Sequence, residues 1–565
     1  MGQLDALIPR THIAYFSMEI ALAPEMHTYS GGLGVLAGDT ARSCADLEIP
    51  VVFVTLLSRA GYLRQEIDGE GRQIDGPDPW ELDGWVEPLG AKIVVRIEGR
   101  EVWVRPWLFL LSGGTGFFVP VLLLDTDLDE NDAEDRRLTD RLYGGDDAYR
   151  LKQEIVLGVG GFRLLRALGF EIQTFHLNEG HSALLTLELL RRHRLMPEMV
   201  RPGDCAYDAQ EVREHCVFTT HTPVEAGQDR FAYPLVERVL GDVIELDQLK
   251  ILAGEDRLNM TRLALNLSGY VNGVAERHAE TAQRMFPGFR VRAITNGVHA
   301  RTWTCPSFAR LYQANFPHWQ HEPEVLVRAD QLPDDAVWEA HATAKRELLG
   351  RVEEICGIRL DPGLPLLGFA RRMTSYKRPE LLFVDPERLR NIARRWPFQV
   401  VMAGKAHPRD SDGKALIQQL HADIGQLAGS VPAAYLPNYE MALARHMVAG
   451  VDVWLNTPLP PLEASGTSGM KAAFNGVLNF SVLDGWWLEA WIEGCTGWAI
   501  GDGRFGSHEQ DALDLYDKLE HAILPRYHGN RGRWIWMMKE AISKIAYYFN
   551  SQRMMRRYAS EAYIR

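Results

Sequence analysis

Leu366-Leu367-Gly368-Phe369-Ala370, followed at once by Arg371-Arg372-Met373-Thr374-Ser375-Tyr376-Lys377-Arg378, is the stretch that decides the fold. A short apolar run bounded by polar residues reads as a strand buried in a parallel sheet. Four cations in the next eight residues mark where that strand ends. A charge run is usually a solvated face. One placed directly after a buried strand lies where open α/β sheets bind ligands, in the crevice beyond the carboxyl ends of the strands. Arginines there suit phosphate oxygens, which they grip bidentately.

Outward from this stretch, short apolar runs alternate with longer amphipathic ones, the pattern of an α/β chain. Residues 12–18 read as a first strand, followed by a turn at Ser30-Gly31-Gly32-Leu33-Gly34, a helix over 36–47 and a strand over 51–57. A long helix covers 149–168, with Leu151, Ile155, Val156, Val159 and Phe162 at helical spacing. Short strands at 175–177 and 217–220 end in polar loops, a second long helix spans 258–284, and 291–295 is a strand. The apolar segment 107–124 is broken by Ser112-Gly113-Gly114 and Pro120 and reads as buried strands. Residues 297–335 lose this periodicity and carry Pro306, Pro317, Pro323 and Pro333. A second cycle follows: helix 336–356, strand 366–370, helix 386–395, strand 399–403, helix 438–449, strand 451–455 and helices over 533–550 and 551–563. The expected fold is α/β with two doubly wound, Rossmann-like domains, over 1–297 and 298–545, and a C-terminal helix over 546–565 that crosses back to the first.

Length and composition agree. A chain of 565 residues exceeds one core. A formal charge of −14 argues against a general nucleic-acid binder, so an anionic substrate needs a local basic cluster. The six cysteines are scattered without metal-ligand spacing, which points to neither structural zinc nor a disulfide framework. No metal is expected. No apolar run reaches membrane-span length and the N-terminus reads as no signal segment, so a cytoplasmic location is expected.

The remaining strand-end loops carry Glu19, Gly31 to Gly34, Asn178-Glu179-Gly180-His181, His221-Thr222, Asn296-Gly297-Val298-His299, Gly404-Lys405, and Glu463-Ala464-Ser465-Gly466-Thr467-Ser468-Gly469-Met470-Lys471-Ala472-Ala473-Phe474-Asn475. The glycine turn lacks dinucleotide-fingerprint and P-loop spacing, but backbone N–H groups at such a turn can still hold a phosphate. Taken alone, His221 is as readily a core histidine, and Glu19, Glu179 and Glu463 serve equally well as caps or ion-pair partners. Lys471, among small residues, can hold an anion as a point charge or form a Schiff base if its ammonium pKa falls.

Together these segments resemble the α-glucan (glycogen, starch, maltodextrin) phosphorylases, the short bacterial branch most. Glu463 to Asn475 resembles that family's pyridoxal-phosphate attachment signature. Collinear matches run through Gly31-Gly-Leu-Gly34, Thr220-His221-Thr222, Thr295-Asn-Gly-Val298 and Arg371 to Arg378. The resemblance implies a glycosyltransferase-B fold with the site in the cleft between the domains, and phosphorolysis of terminal α-1,4-linked glucosyl units to α-D-glucose 1-phosphate with retention. The cofactor would be pyridoxal 5'-phosphate on Lys471, its phosphate passing protons to and from the substrate phosphate. Arg371, Gly466, Thr467, Ser468, Tyr439 and Glu19 would surround the cofactor. Arg372, Lys377 and the Gly32 amide would bind the substrate phosphate, and Leu33, His221, Asn296, Glu463, Ser465 and Gly466 the terminal sugar. Arg372, Lys377, His221 and Lys471 form the implied catalytic set. Partners would be α-glucan and inorganic phosphate, with no nucleic acid or membrane, in a homodimer or larger homo-oligomer. Glu440 departs from the arginine of larger relatives, and the start of the chain near the first strand implies an enzyme without allosteric control. The rival readings are a nucleotide-sugar-dependent glucosyltransferase of the glycogen or starch synthase kind, which has no use for Lys471, and a non-catalytic glucan-binding protein.

Overall fold

The chain forms two α/β halves in the computed structural model, which describes residues 2–201, 203–224, 227–241, 243–503 and 507–564. The first half contains β1 (Ile13–Phe16), β2 (Val51–Leu56), β3 (Arg64–Ile67), β4 (Gln73–Gly76), β5 (Glu87–Pro88), β6 (Ile93–Ile97) and β7 (Arg100–Ser112). It continues with β8 (Phe118–Asp125), β9 (Thr174–Asn178), β10 (Cys216–Thr219), β11 (Arg230–Ala232), β12 (Arg257–Asn259), β13 (Tyr270–Gly273) and β14 (Arg292–Ala293). Ten of these form one sheet in the order β14-β13-β10-β9-β1-β2-β8-β7-β5, with β6 also paired to β7. From β14 to β8 every pairing is parallel; β7, β5 and β6 add an antiparallel edge. β1 and β2 are buried at every position, as strands covered on both faces must be.

The second half is a six-stranded, all-parallel sheet of β15 (Leu366–Ala370), β16 (Gln399–Ala403), β17 (Ala433–Leu436), β18 (Val453–Asn456), β19 (Leu478–Val482) and β20 (Gly497–Ile500), ordered β17-β16-β15-β18-β19-β20. Strand order reverses at β1/β9 in the first sheet and at β15/β18 in the second. Loops leaving those strands part to opposite sides and open a crevice there.

Several sequence expectations need correction. The helix expected over 258–284 is broken: β12 and Met260–Asn266 come first, then β13, then helix Glu276–Met285. Ser268-Gly269 ends the first helix and Tyr270-Val271 extends into the sheet as the partner of β10. The strand expected over 291–295 shrinks to Arg292–Ala293. The helix expected to start at 36 starts at Gly32, so the glycine turn is itself a first helical turn. The helix expected over 438–449 is Met441–Gly450. The hairpin of β3 and β4 was not anticipated.

The C-terminal helix Ser551–Tyr558 lies on the first half. The Tyr558 hydroxyl contacts Thr219 Oγ1 (3.0 Å) and accepts from Asn272 Nδ2 (2.9 Å), while that of Tyr563 meets His176 Nδ1 at 2.7 Å. The six cysteines form no disulfide with one another. No helix among the described residues is long and apolar enough to cross a membrane.

Candidate active site

The loop after β1 brings Glu19 under the glycine turn. Its carboxylate accepts from the amides of Ser30 (2.6 Å) and Gly31 (3.1 Å) and from the Tyr143 hydroxyl (2.8 Å). Gly34 permits this approach, since a Cβ there would come within 2.6 Å of the Glu19 carboxylate. After β9, Glu179 sits at φ +71° and accepts from the His221 amide (2.7 Å) and the Thr222 hydroxyl (3.0 Å). The His221 ring meets Asn178 Oδ1 at 2.6 Å, and burial pushes its pKa down to about 3. That imidazole is therefore neutral at physiological pH and supplies no imidazolium acid.

The four cations after β15 divide by environment. Arg371 and Lys377 are buried and both donate to Glu463 Oε2, at 2.5 and 2.6 Å. Those two charges hold the Glu463 carboxyl down at about 2 against its own burial. Arg378 is spent on structure: it donates to the carbonyls of Thr457 and Pro458 and pairs with Asp511 at 2.7 Å. Arg372 alone is exposed, toward the cleft, and reaches Ser30 Oγ at 3.4 Å across the two halves.

Lys471 lies in the short helix Ser468–Ala473 after β18. It is buried, with Nζ 4.1 Å from the centre of the Trp303 ring, and among the described residues its side chain makes no hydrogen bond or ion pair. Burial lowers its pKa to about 8, with Asp39 of helix Gly32–Asp46 opposing the shift from a distance. On the loops after β15 and β18, Arg371 Nη1 and Ser465 Oγ are buried without partners. Gly466 sits at φ +92°, and a Cβ at Gly469 would fall 2.2 Å from Asn479 Oδ1. A buried amine of lowered pKa and orphaned polar atoms fit a carbonyl-bearing, phosphorylated cofactor such as pyridoxal 5'-phosphate, while the glycines answer to Asn479 and Trp486 packed against them. Ser468 Oγ accepts from Trp454 Nε1 (3.0 Å), which fixes one hydroxyl of this loop. Tyr439, beside Tyr29 and within the field of Arg371, has its phenol pKa raised by burial.

A cleft of about 630 Å³ joins Glu19, Leu33, Glu179, His221 and Arg372. It also holds His181, named above in the loop after β9, and residues the sequence reading passed over: Tyr143, Arg150, Asp229, His407 and Arg409. Arg150 binds Asp229 (2.9 Å) and stacks 4.4 Å over the Tyr143 ring. Tyr143, Arg150 and Asp229 lie away from the strand ends, so attention to strand ends alone misses them, whereas His407 and Arg409 continue the Gly404-Lys405 loop after β16. Glu19, expected around the cofactor, lines this cleft instead, its oxygens committed to the turn and to Tyr143. Of the other expected ligands, Gly32, Asn296, Lys377, Glu463, Ser465 and Gly466 are not among the residues that line this cleft; Asn296 is buried and its carbonyl accepts from Arg553 Nη2 (3.2 Å). Glu440 lies near His27 and Lys405 and acts on the charge of both.

A family model described as "Carbohydrate phosphorylase" matches residues 224–493. A maltodextrin phosphorylase of Thermococcus litoralis is 38% identical over 98% of this chain and 70% of its own length. A glycogen phosphorylase of Mycobacterium tuberculosis is 37% identical over 98% of the chain and 71% of its own length. One from Aquifex aeolicus is 35% identical, with 98% and 86% covered.

Proposed function

The chain belongs to the carbohydrate phosphorylase family, and from that premise we propose that it cleaves terminal α-1,4-glucosyl units of glycogen, starch or maltodextrin with inorganic phosphate. The product would be α-D-glucose 1-phosphate, configuration retained. One observation carries this reading: Arg372 stands exposed in a cleft beside the glycine turn, while its neighbours Arg371 and Lys377 converge on Glu463.

In this proposal Arg372, the Gly32 amide and Lys377 hold the substrate phosphate. Leu33, His221, Glu463, Ser465 and Gly466 form the glucosyl pocket. The neutral His221 ring, fixed by Asn178, keeps its own backbone in place rather than passing a proton. Lys471, Arg371, Thr467, Ser468, Gly466 and Tyr439 would hold pyridoxal 5'-phosphate. When bound, that group supplies a phosphate able to give and take a proton beside the substrate phosphate. Two phosphates held close repel unless cations surround them, which gives the Arg371–Lys377 run its use in an acidic chain. A water-poor cleft then strengthens the attraction between these cations and the developing charge. We further propose the domain limits 1–297 and 298–545, with 546–565 crossing back, a cytoplasmic location and a homodimer or larger assembly.

The test has two parts. Maltodextrin and inorganic phosphate should yield glucose 1-phosphate, its anomer read by proton NMR; transfer from a nucleotide sugar instead would overturn the proposal. Cofactor loading, followed by near-ultraviolet absorbance, requires the neutral Lys471 amine. Because burial lowers that pKa to about 8, the loading rate should climb up to about pH 8 and level off above it. Lys471→Ala should not load at any pH.

A further inference from the structure

Tyr62 lies between β2 and β3, in the segment of the first half that meets the 404–409 loop of the second. Lys405 Nζ donates to the Leu63 carbonyl at 3.0 Å, and the Tyr62 ring faces His407 with centroids 5.9 Å apart. His407 and Arg409 line the cleft together with Arg372. The ring of Tyr62 packs on the apolar core of the first half, so its position is fixed. Its hydroxyl oxygen, however, is buried with no hydrogen-bond partner among the described residues. Buried hydroxyls in folded proteins nearly always have a partner, and an exception calls for a physical account.

The surroundings supply one. Arg372 is the foremost charge acting on the Tyr62 phenol, followed by Glu19. Tyr62 in turn leads the groups that act on the Arg372 guanidinium, ahead of Glu19 and Tyr143. Glu19 does not pair with the phenol, because its oxygens are taken by Ser30, Gly31 and Tyr143. Arg372 is itself under-used, with a single long contact to Ser30 Oγ. An unpaired O–H donor, on a ring that faces His407 of the cleft wall, and a half-satisfied guanidinium in that cleft thus lie within each other's field, one from each half.

We propose that the Tyr62 hydroxyl is a further ligand of the substrate phosphate, donating to the oxyanion that Arg372 holds. The proposal rests on the phosphorolysis reading. It extends to the phosphate group of glucose 1-phosphate in the reverse direction. It also makes phosphate binding depend on the closed arrangement of the halves, since the donor and the cation reach the anion from different sheets.

The test compares wild type and Tyr62→Phe as cofactor-loaded enzymes. Phenylalanine keeps the ring against His407 and removes only the hydroxyl. The KM for inorganic phosphate should rise about tenfold, the loss of one hydrogen bond to a charged group. The KM for maltodextrin should stay within about twofold of wild type. Without phosphate the variant's Tm should equal or exceed that of wild type, because the lost hydroxyl had no partner. Its Tm gain on adding inorganic phosphate should shrink. An unchanged phosphate KM overturns the proposal, as does a rise in both KM values accompanied by a lowered Tm, the mark of a structural hydroxyl. A wild-type enzyme that releases no glucose 1-phosphate overturns the phosphorolysis reading and this proposal with it. Release by the wild type with an unaltered variant overturns this proposal alone.

Discussion

Arg371 and Lys377 donate to the same oxygen of Glu463, and all three side chains are buried. A buried pair is weak evidence of net stabilisation, but removing one member strands the others. Glu463→Gln leaves two buried cations without their counter-charge and should cost about 3–5 kcal/mol at neutral pH. The pH dependence has a definite sign. The folded carboxyl is depressed from 4.5 to about 2, so its contribution is complete above about 4.5 and is lost as pH falls toward 2. Urea unfolding from pH 7 to 3 should show a steeper acid loss in wild type than in the variant; parallel curves would remove Glu463 from this role. The sequence made the cations legible because they follow a strand. It could not show that Arg378 is spent on Asp511 and two carbonyls, since a run of like residues carries no sign of which one turns inward.

Helix Gly32–Asp46 shows how an element places such residues. It starts at the glycine turn and passes so close to the loop after β1 that a Cβ at Gly38 would lie 2.0 Å from the Ala21 carbonyl oxygen. Arg42 Nη2 donates to that same oxygen (3.0 Å), and the Ala21 amide donates to the Gly34 carbonyl (2.8 Å), so helix and loop are tied together. Alanine is the better helix former by about 1 kcal/mol, yet overpacking here should win and leave Gly38→Ala destabilised by about 1–3 kcal/mol. Gly350, in helix Asp334–Cys356, has nothing within 4 Å of its would-be Cβ, and Gly350→Ala should stabilise by up to about 1 kcal/mol. Chemical denaturation of both variants gives opposite signs if contact rather than propensity governs Gly38. Gly38→Ala should also raise the KM for phosphate, because the Gly32 amide moves with the helix. Periodicity made most helices and the core strands of both sheets readable. It failed at β13, four residues between two helices, where an apolar–polar pattern continued across the break and only Ser268-Gly269 signalled it. It failed also at β3 and β4, whose exposed, charged residues look like loop.

At the scale of the whole molecule, that unforeseen hairpin joins the halves. Gln73 is buried and pairs with Ala406 in both directions, its Nε2 donating to the carbonyl (2.9 Å) and its Oε1 accepting from the amide (3.0 Å). Gln65 Nε2 donates to Gln73 Oε1 and to the Gly404 carbonyl, both at 2.8 Å, and Gln65 exchanges hydrogen bonds with Asn438. Two side-chain amides from the first half thus hold the loop that carries His407 and Arg409 into the cleft. Gln73→Leu keeps the bulk but leaves the Ala406 amide and carbonyl and one donor of Gln65 unpaired, at about 1–3 kcal/mol per buried group. The exposed Lys414–Asp75 pair (2.6 Å) on the same hairpin should matter far less, with Lys414→Ala costing about 1 kcal/mol at most. The contrast extends to kinetics. Gln73→Leu should raise the KM for phosphate and for glucan together, since the 404–409 loop carries His407 and Arg409 into the cleft where the proposal seats both, and should make 64–76 the first site of limited proteolysis. Lys414→Ala should change neither. If Gln73→Leu retained wild-type KM values and an intact hairpin, the two halves would have to be registered by their other contacts, among them Glu489 with Thr295 (2.7 Å) and the Glu276 amide (2.9 Å), and the Met441 amide with the Tyr29 hydroxyl (2.9 Å).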